Sequence, residues 1–381
     1  MVKTFLIANC RLPIGMAAGV TIGGFRLLIA NSKSLISVWA CGPKARLAHC
    51  LSHIGREPIG NWQWQSAMSL AYIFPGQGSQ YPGMGKDLVD NFPAARKVFD
   101  EVDEALSFPI SRLCFEGPPE TLQLTENTQP AILSVSVAVL RAMEAQGFPQ
   151  PNYVAGHSLG EYSALVAAGA LSLADAARTV RARGRYMQEA VPPGQGAMAA
   201  VRGAELAEIE KVCGEASQGQ VCAPANINSS NQVVIAGNSE AIDRAIELLK
   251  EKGAKRVVKL KVSAPFHCAL MMPAQERLAA DLEALSLDDL RIPLVSNVDA
   301  AEVRRAVDAK DSLVRQVSSP VRWLESVKLL IREGVDTFVE VGPGRVLSGL
   351  MRQISREVKS LNVEATASLK STGVNLGISQ G

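Results

Sequence analysis

Residues 156–160 read Gly-His-Ser-Leu-Gly, the pattern G-x-S-x-G, and their surroundings leave few folds open. The apolar run Tyr153-Val154-Ala155 leads in with the character of a short strand. Residues 161–170 lead out with the character of a helix. A strand, a sharp turn and a helix make a nucleophile elbow, which lifts the serine hydroxyl above the edge of a sheet. Gly156 and Gly160 remove side chains where the two backbones crowd. The helix aims free N–H groups at Ser158, where an oxyanion would form. A glycine-bounded turn with an incidental serine is the plainer alternative, and the strand–helix context speaks against it.

A serine hydroxyl is a weak nucleophile and needs a base beside it. The chain has four histidines: His49, His53, His157 and His267. His157 directly precedes the serine, and neighbouring side chains at a strand end diverge. His49 and His53 lie in an N-terminal segment of foreign composition. Elimination leaves His267, in Ser263-Ala264-Pro265-Phe266-His267-Cys268, on a loop after the strand-like run 257–262. A hydrolase triad would run serine, acid, histidine. No acidic residue between Ser158 and His267 stands in a recognisable motif, and no histidine follows residue 267. The group that orients His267 is therefore left between a backbone carbonyl and an amide, either of which fixes the tautomer.

The body of the chain alternates strands and helices, which makes it α/β. Gln129-Pro130 is expected to open a long apolar helix through about Ala145, and 175–191 to form another, ended by Pro192-Pro193-Gly194. The pattern then changes to strand 197–201, helix 204–216, strands 221–226 and 233–236, helix 240–252 and strand 256–262. That β-α-β-β-α-β order is ferredoxin-like. The expected organisation is a discontinuous hydrolase-like parallel-sheet domain, 68–194 and 264–360, with a ferredoxin-like subdomain, 195–263, inserted between Ser158 and His267. The site then lies in the cleft between them. Residues 361–381 lack periodicity and read as a flexible tail.

Phe74-Pro75-Gly76-Gln77-Gly78-Ser79-Gln80, the run from Gly156 to Ser163, Arg183-Gly184, the loop from Ser263 to His267, and Val341-Gly342-Pro343-Gly344 occur in that order. Over roughly residues 69–360 the chain resembles the malonyl-CoA:acyl carrier protein transacylase family, whose nearest relatives are the acyltransferase domains of polyketide synthases. The resemblance implies Ser158 as nucleophile and His267 as base, with the backbone carbonyl of Gln316 orienting the histidine. It implies an oxyanion hole from the backbone N–H groups of Gln77 and Leu159. Arg183 would hold the malonyl carboxylate, for which a planar guanidinium fork is suited. Gln129 and Phe266 would line the site. Phe266, before His267, stands where some members have serine and resembles the Ala-Phe-His form of malonyl-selective acyltransferases, favouring malonyl over methylmalonyl. The implied enzyme is a monomer without metal or other cofactor, with malonyl-CoA as substrate and acyl carrier protein as an acidic, transient partner. It would supply extender units for fatty-acid synthesis. Alternatives are a discrete polyketide acyltransferase, a serine hydrolase or thioesterase, and a non-catalytic acyl-binding protein. The hydrolase lacks its late histidine and HGGG-type loop, and leaves Arg183 unexplained. Ser158 and His267 together speak against the binding protein.

Residues 1–67 carry seven Lys/Arg and one acidic residue, Glu57, whereas the whole chain sets 39 basic against 37 acidic residues. They also hold three of four tryptophans and three of seven cysteines. This extension is expected to lie outside the fold. It reads as a transit peptide, as a membrane or secretory segment around 12–30, or as upstream sequence ahead of Met68; the last is preferred. Localisation follows: cytoplasmic, or an organelle matrix if the segment is a transit peptide. Basic content without a recognition motif gives no case for nucleic acid. Cys114, Cys213, Cys222 and Cys268 show no metal spacing and suit a reducing compartment.

Overall fold

The computed structural model describes residues 17–22, 25–32, 35–41, 68–260, 262 and 264–378. The chain divides into two units, Met1–Gln65 and Ser66–Gly381. In the first, β1 (Ala17–Ile22), β2 (Phe25–Ser32) and β3 (Leu35–Cys41) form an antiparallel meander, with Leu28 paired to Gly19 on one side and Trp39 on the other. The stretch weighed as a membrane segment thus holds two paired strands. The other expectations for residues 1–67, His49 and His53 included, lie outside the described residues. Among the described residues no helix is long and apolar enough to cross a membrane.

The second unit begins with β4 (Leu70–Phe74) and β5 (Tyr153–Gly156). An inserted set follows: β6 (Gly196–Arg202), β7 (Cys222–Ser229), β8 (Gln232–Asn238) and β9 (Arg256–Lys259). It closes with β10 (Leu294–Val295), β11 (Glu302–Val303), β12 (Thr337–Val341) and β13 (Lys359–Val363). One sheet takes the order β11-β10-β5-β4-β12-β13, parallel throughout except for the β10–β11 pair.

Parallel strands need helical crossovers, so both sheet faces are covered. Accordingly every residue of β4 is buried. Leu70, Tyr72 and Phe74 join the core that includes Leu133 and Val137 of the helix Thr125–Ala145. The alternate residues Ala71 and Ile73 join a second core with Trp323, Val327 and Leu330 of the helix Trp323–Arg332. Each large side chain so buried is worth about 1.5–3 kcal/mol.

The inserted strands form an antiparallel sheet ordered β7-β8-β6-β9. With the helices Leu206–Ser217 and Ser239–Glu251 this is the expected ferredoxin-like arrangement. Ala197, Ala199 and Val201 pack with Val212 and Ile242 of those helices, while Met198 and Val234 join the core of the α/β body. The outer edge of β7 is also bonded to that body: Ile227 N–H donates to Val321 O at 2.9 Å, and Val321 N–H to Ala225 O at 2.8 Å.

Two expectations are corrected. The long apolar helix starts at Thr125, not at Gln129-Pro130, so Pro130 lies inside it. Its first turn, Thr125-Glu126-Asn127-Thr128, is polar and reads as loop. A bond at Thr128 backs it, its Oγ1 donating to Leu122 O at 2.6 Å. Residues beyond Leu361 are not a flexible tail as far as residue 378. Strand β13 pairs with β12 from Lys359 opposite Thr337 to Val363 opposite Val341, and a helix, Thr366–Asn375, buries Leu369. An edge strand and a polar helix carry little periodicity to read.

Parallel order brings the C-terminal ends of β4, β5 and β10 side by side. Phe74 lies opposite Gly156, and Val295 opposite Ala155. A Cβ on Gly160 would stand 2.1 Å from Phe74 O, and one on Gly156 1.9 Å from the Gly160 carbonyl carbon. Gly160→Ala should therefore lower stability by about 1–3 kcal/mol, the ordinary cost of overpacking. Urea unfolding checks this; an unchanged midpoint would mean that the crossing tolerates a methyl group.

Candidate active site

The turn between β5 and the helix Gly160–Ala167 carries Ser158 in the left-handed region, φ 52°. Such a conformation is uncommon outside glycine and is held by its surroundings. The surroundings are specific. Ser158 N–H donates to Asn297 Oδ1 at 2.7 Å, and Gln316 Nε2 donates to Ser158 O at 3.0 Å. Asn297 Nδ2 donates to Gly156 O at 2.6 Å, bracing the turn from below. The Gly76 loop after β4 lies on the elbow: a Cβ on Gly76 would meet His157 O at 2.4 Å. Gln77 on that loop is exposed, and neither its backbone N–H nor that of Leu159 has a backbone acceptor among the described residues.

His267, also left-handed at φ 61°, is buried and faces the serine. Its Nε2 is 2.7 Å from Ser158 Oγ and its Nδ1 2.8 Å from Gln316 O. A carbonyl only accepts, so Nδ1 carries the proton and Nε2 is free to accept from the serine hydroxyl. His157 turns away, with Nε2 2.8 Å from Asn228 Oδ1 and its ring 5.7 Å from Trp323. Cys268 is buried, its Sγ 3.1 Å from Pro265 O, and burial pushes its thiol up to about 11. A thiol so protonated is a poor nucleophile.

The helix Leu173–Glu189 crosses the helix Thr125–Ala145 at Gly184, where a Cβ would meet Thr125 O at 2.5 Å. That close approach delivers Arg183 to the site, 2% exposed. Its guanidinium donates to Gln129 Oε1 at 2.7 Å, Gln316 Oε1 at 2.8 Å and Ser158 Oγ at 3.1 Å. Each acceptor is neutral, and its Nε has no partner among the described residues. A buried cation is costly unless paired, and among the described residues no anionic group is hydrogen-bonded to this one. A surface cleft of about 310 Å³ lies on another face of the same helix, at Arg178, Arg181 and Arg185, and includes none of these residues. Among the described residues no group of His, Cys, Asp or Glu could hold a metal ion.

The sequence matches the acyl transferase domain family over residues 71–374. It is 50% identical over 295 residues to the malonyl CoA-acyl carrier protein transacylase of Bacillus subtilis (strain 168), covering 77% of this chain and 93% of that one. The fold matches the malonyl CoA-acyl carrier protein transacylase of Coxiella burnetii with a TM-score of 0.80 at 44% identity, over 81% of this chain and 98% of that chain. The chain belongs to the malonyl-CoA:acyl carrier protein transacylase family of acyl transferases. It also matches a malonyl-transacylase complex with a type II polyketide acyl carrier protein, at a TM-score of 0.79 and 45% identity, over 81% of this chain and 99% of that chain.

For an acyl transferase of this family, the structure brings together Ser158, His267, Gln316, Arg183 and Gln129 as one hydrogen-bonded group. Phe266 adjoins it in sequence and is buried in the main core. Reading the sequence missed Asn297, Glu161 and the side chain of Gln316. Glu161 left one signal, a carboxylate in the first turn of an otherwise apolar helix. Asn297 left none, since its role depends on β10 lying beside β5.

Burial, and after it the charge of Arg183, pushes the His267 imidazole down to about 3. The unfolded chain binds a proton near the usual 6.5 that the folded protein refuses. This contribution is therefore fully present above pH 6.5 and is lost as pH falls toward 3. Glu161, raised to about 7 by burial, acts oppositely between its ordinary value of 4.5 and 7. The clean comparison is thus native against His267→Gln. Between pH 6.5 and 5 the native protein should lose more stability than the variant, and the His267 signal in ¹⁵N NMR should stay neutral. A midpoint near 6.5 for that signal would contradict the buried, neutral state.

Proposed function

We propose that the protein transfers the malonyl group of malonyl-CoA to the phosphopantetheine thiol of acyl carrier protein through a malonyl-Ser158 ester. One observation carries this reading: a buried guanidinium with only neutral partners donates to the same Ser158 oxygen that lies 2.7 Å from His267 Nε2. A nucleophile, its base and a carboxylate receptor thus share one atom's surroundings.

In the first half-reaction Ser158 Oγ attacks the thioester carbonyl and its proton passes to His267 Nε2. The oxyanion is taken by the Gln77 and Leu159 N–H groups, each such donor being worth roughly 3 kcal/mol. The C–S bond breaks and CoA leaves with the proton from His267. In the second, the pantetheine sulfur attacks the ester, its proton goes to His267, the C–Oγ bond breaks and Ser158 recovers the proton. Gln316 O steadies the imidazolium in both. The malonyl carboxylate sits on Arg183, whose N–H to Ser158 Oγ is released as that oxygen becomes an ester. The same carboxylate offsets the Arg183 charge that depresses His267, so the base strengthens as its substrate binds. Reaction is ping-pong. Residues 1–67 supply no group to this scheme.

The names of the relatives support malonyl-CoA and carrier protein as substrates; that the transfer supplies extender units for fatty-acid synthesis in the cytoplasm is part of the proposal. The likeness to a transacylase solved with a type II polyketide carrier protein favours, as second reading, the same transfer in polyketide synthesis. Assay against a fatty-acid and a polyketide carrier protein separates them.

Brief mixing with malonyl-CoA should add one malonyl mass to the peptide holding Ser158. Ser158→Ala should abolish the adduct, and His267→Ala should slow both half-reactions by at least about 100-fold. An adduct that survives in Ser158→Ala, on Cys268 for example, would sink the scheme.

Arg183 is expected to select the acyl group. A charged hydrogen bond is worth roughly 1.5–3 kcal/mol, or about 10- to 150-fold. Arg183→Ala should lower malonyl loading by that factor while acetyl loading holds or improves. Arg183→Lys should recover part, since a point charge lacks the fork. Equal losses for both acyl groups would make the arginine structural.

A further inference from the structure

Beneath the elbow lies a carboxyl group that the reaction scheme does not use. Glu161 is fully buried in the first turn of the elbow helix. Its Oε2 accepts from Gln316 Nε2 at 2.8 Å and from the Asn297 backbone N–H at 3.1 Å. Its Oε1 has no partner among the described residues. Both donors lead on to the site. Gln316 turns its backbone carbonyl to His267 and its side-chain oxygen to Arg183. Asn297 takes the Ser158 N–H, while the amide that Glu161 holds also donates to Ser158 O. One carboxyl oxygen therefore fixes the two residues that grip the strained serine from either side.

We infer that Glu161 is a positioning residue for acyl loading, acting through Oε2 as a hydrogen-bond acceptor and not through its charge. The inference rests on the proposed reaction. Oε2 can accept in either protonation state, more strongly as the carboxylate, and the unpartnered Oε1 is where the proton resides. Burial raises the carboxyl to about 7, so both states occur near neutrality. The charged groups that act on it are of opposite sign, Arg183 from the helix Leu173–Glu189 and Asp299 from the segment after β10. Neither makes a direct bond to it among the described residues. A glutamine at this position keeps an accepting oxygen; a leucine keeps the volume and leaves two buried donors unpaired, which is the costly case.

The test is single-turnover malonyl loading of the full chain from pH 6 to 8, for native protein, Glu161→Gln and Glu161→Leu, with ¹⁵N NMR of the His267 Nδ1–H. Glu161→Gln should stay within about threefold of native with a superimposable pH profile and an unmoved Nδ1–H signal. Glu161→Leu should load about 10- to 100-fold more slowly for malonyl and for acetyl thioesters, at saturating substrate, with that signal shifted or lost. The inference is overturned if Glu161→Leu loads within threefold of native, or if Glu161→Gln is slow or departs from the native pH profile. If the leucine variant does not fold, the glutamine comparison decides alone. Failure of the native protein to form the Ser158 adduct would instead overturn the reaction scheme.

Discussion

A guanidinium taken out of water with no carboxylate hydrogen-bonded to it is the interaction on which this site depends. The Arg183 charge is held by three neutral oxygens, from Gln129, Gln316 and Ser158. Desolvating a charge costs several kcal/mol even after relaxation, and neutral acceptors return only part of that. The fold supports the deficit through packing: the crossing at Gly184, the continuous burial of residues 127–140, and the apolar core around the sheet. The proposed malonyl group would bring a negative charge of its own to this guanidinium.

The second constraint is geometric. Parallel strands end together, so segments far apart in sequence emerge at one sheet edge. The loop after β4 gives Gln77, β5 gives Ser158, and the segment after β10 gives Asn297. Two of the residues at the reacting oxygen, Ser158 and His267, have positive φ. Each is held there by hydrogen bonds from another part of the chain, so local strain is offset by long-range contacts.

Legibility of the sequence divides along the same line. The elbow was readable because its determinants are adjacent: strand, Gly156, Ser158, Gly160, helix. His267 was readable because the body offers so few histidines. The inserted subdomain was readable because its strands and helices keep their own periods. Gln77, Gln129, Arg183 and Gln316 came from family resemblance, since nothing local distinguishes Arg183 from Arg181 or Arg185. Asn297 was not readable, because its meaning lies in which strands are neighbours, and Glu161 showed only as a carboxylate in an apolar helix, with nothing to say what it holds. The polar first turn of the helix from Thr125, and the edge strand β13 with its helix, hid for a related reason. Their stability comes from what they pack against and not from their own pattern.

The bonded edge of β7 has a mechanical consequence. An inserted subdomain is often pictured as one half of a jaw. Here the backbone bonds between Ile227, Val321 and Ala225, the contact of Asn228 with His157, and that of Ser229 with Gln353 rivet it to the α/β body. Swinging it outward would break all of these at once. The elbow and the insert are therefore parts of one braced unit, tied by backbone bonds along β7 and by side-chain bonds beside His157.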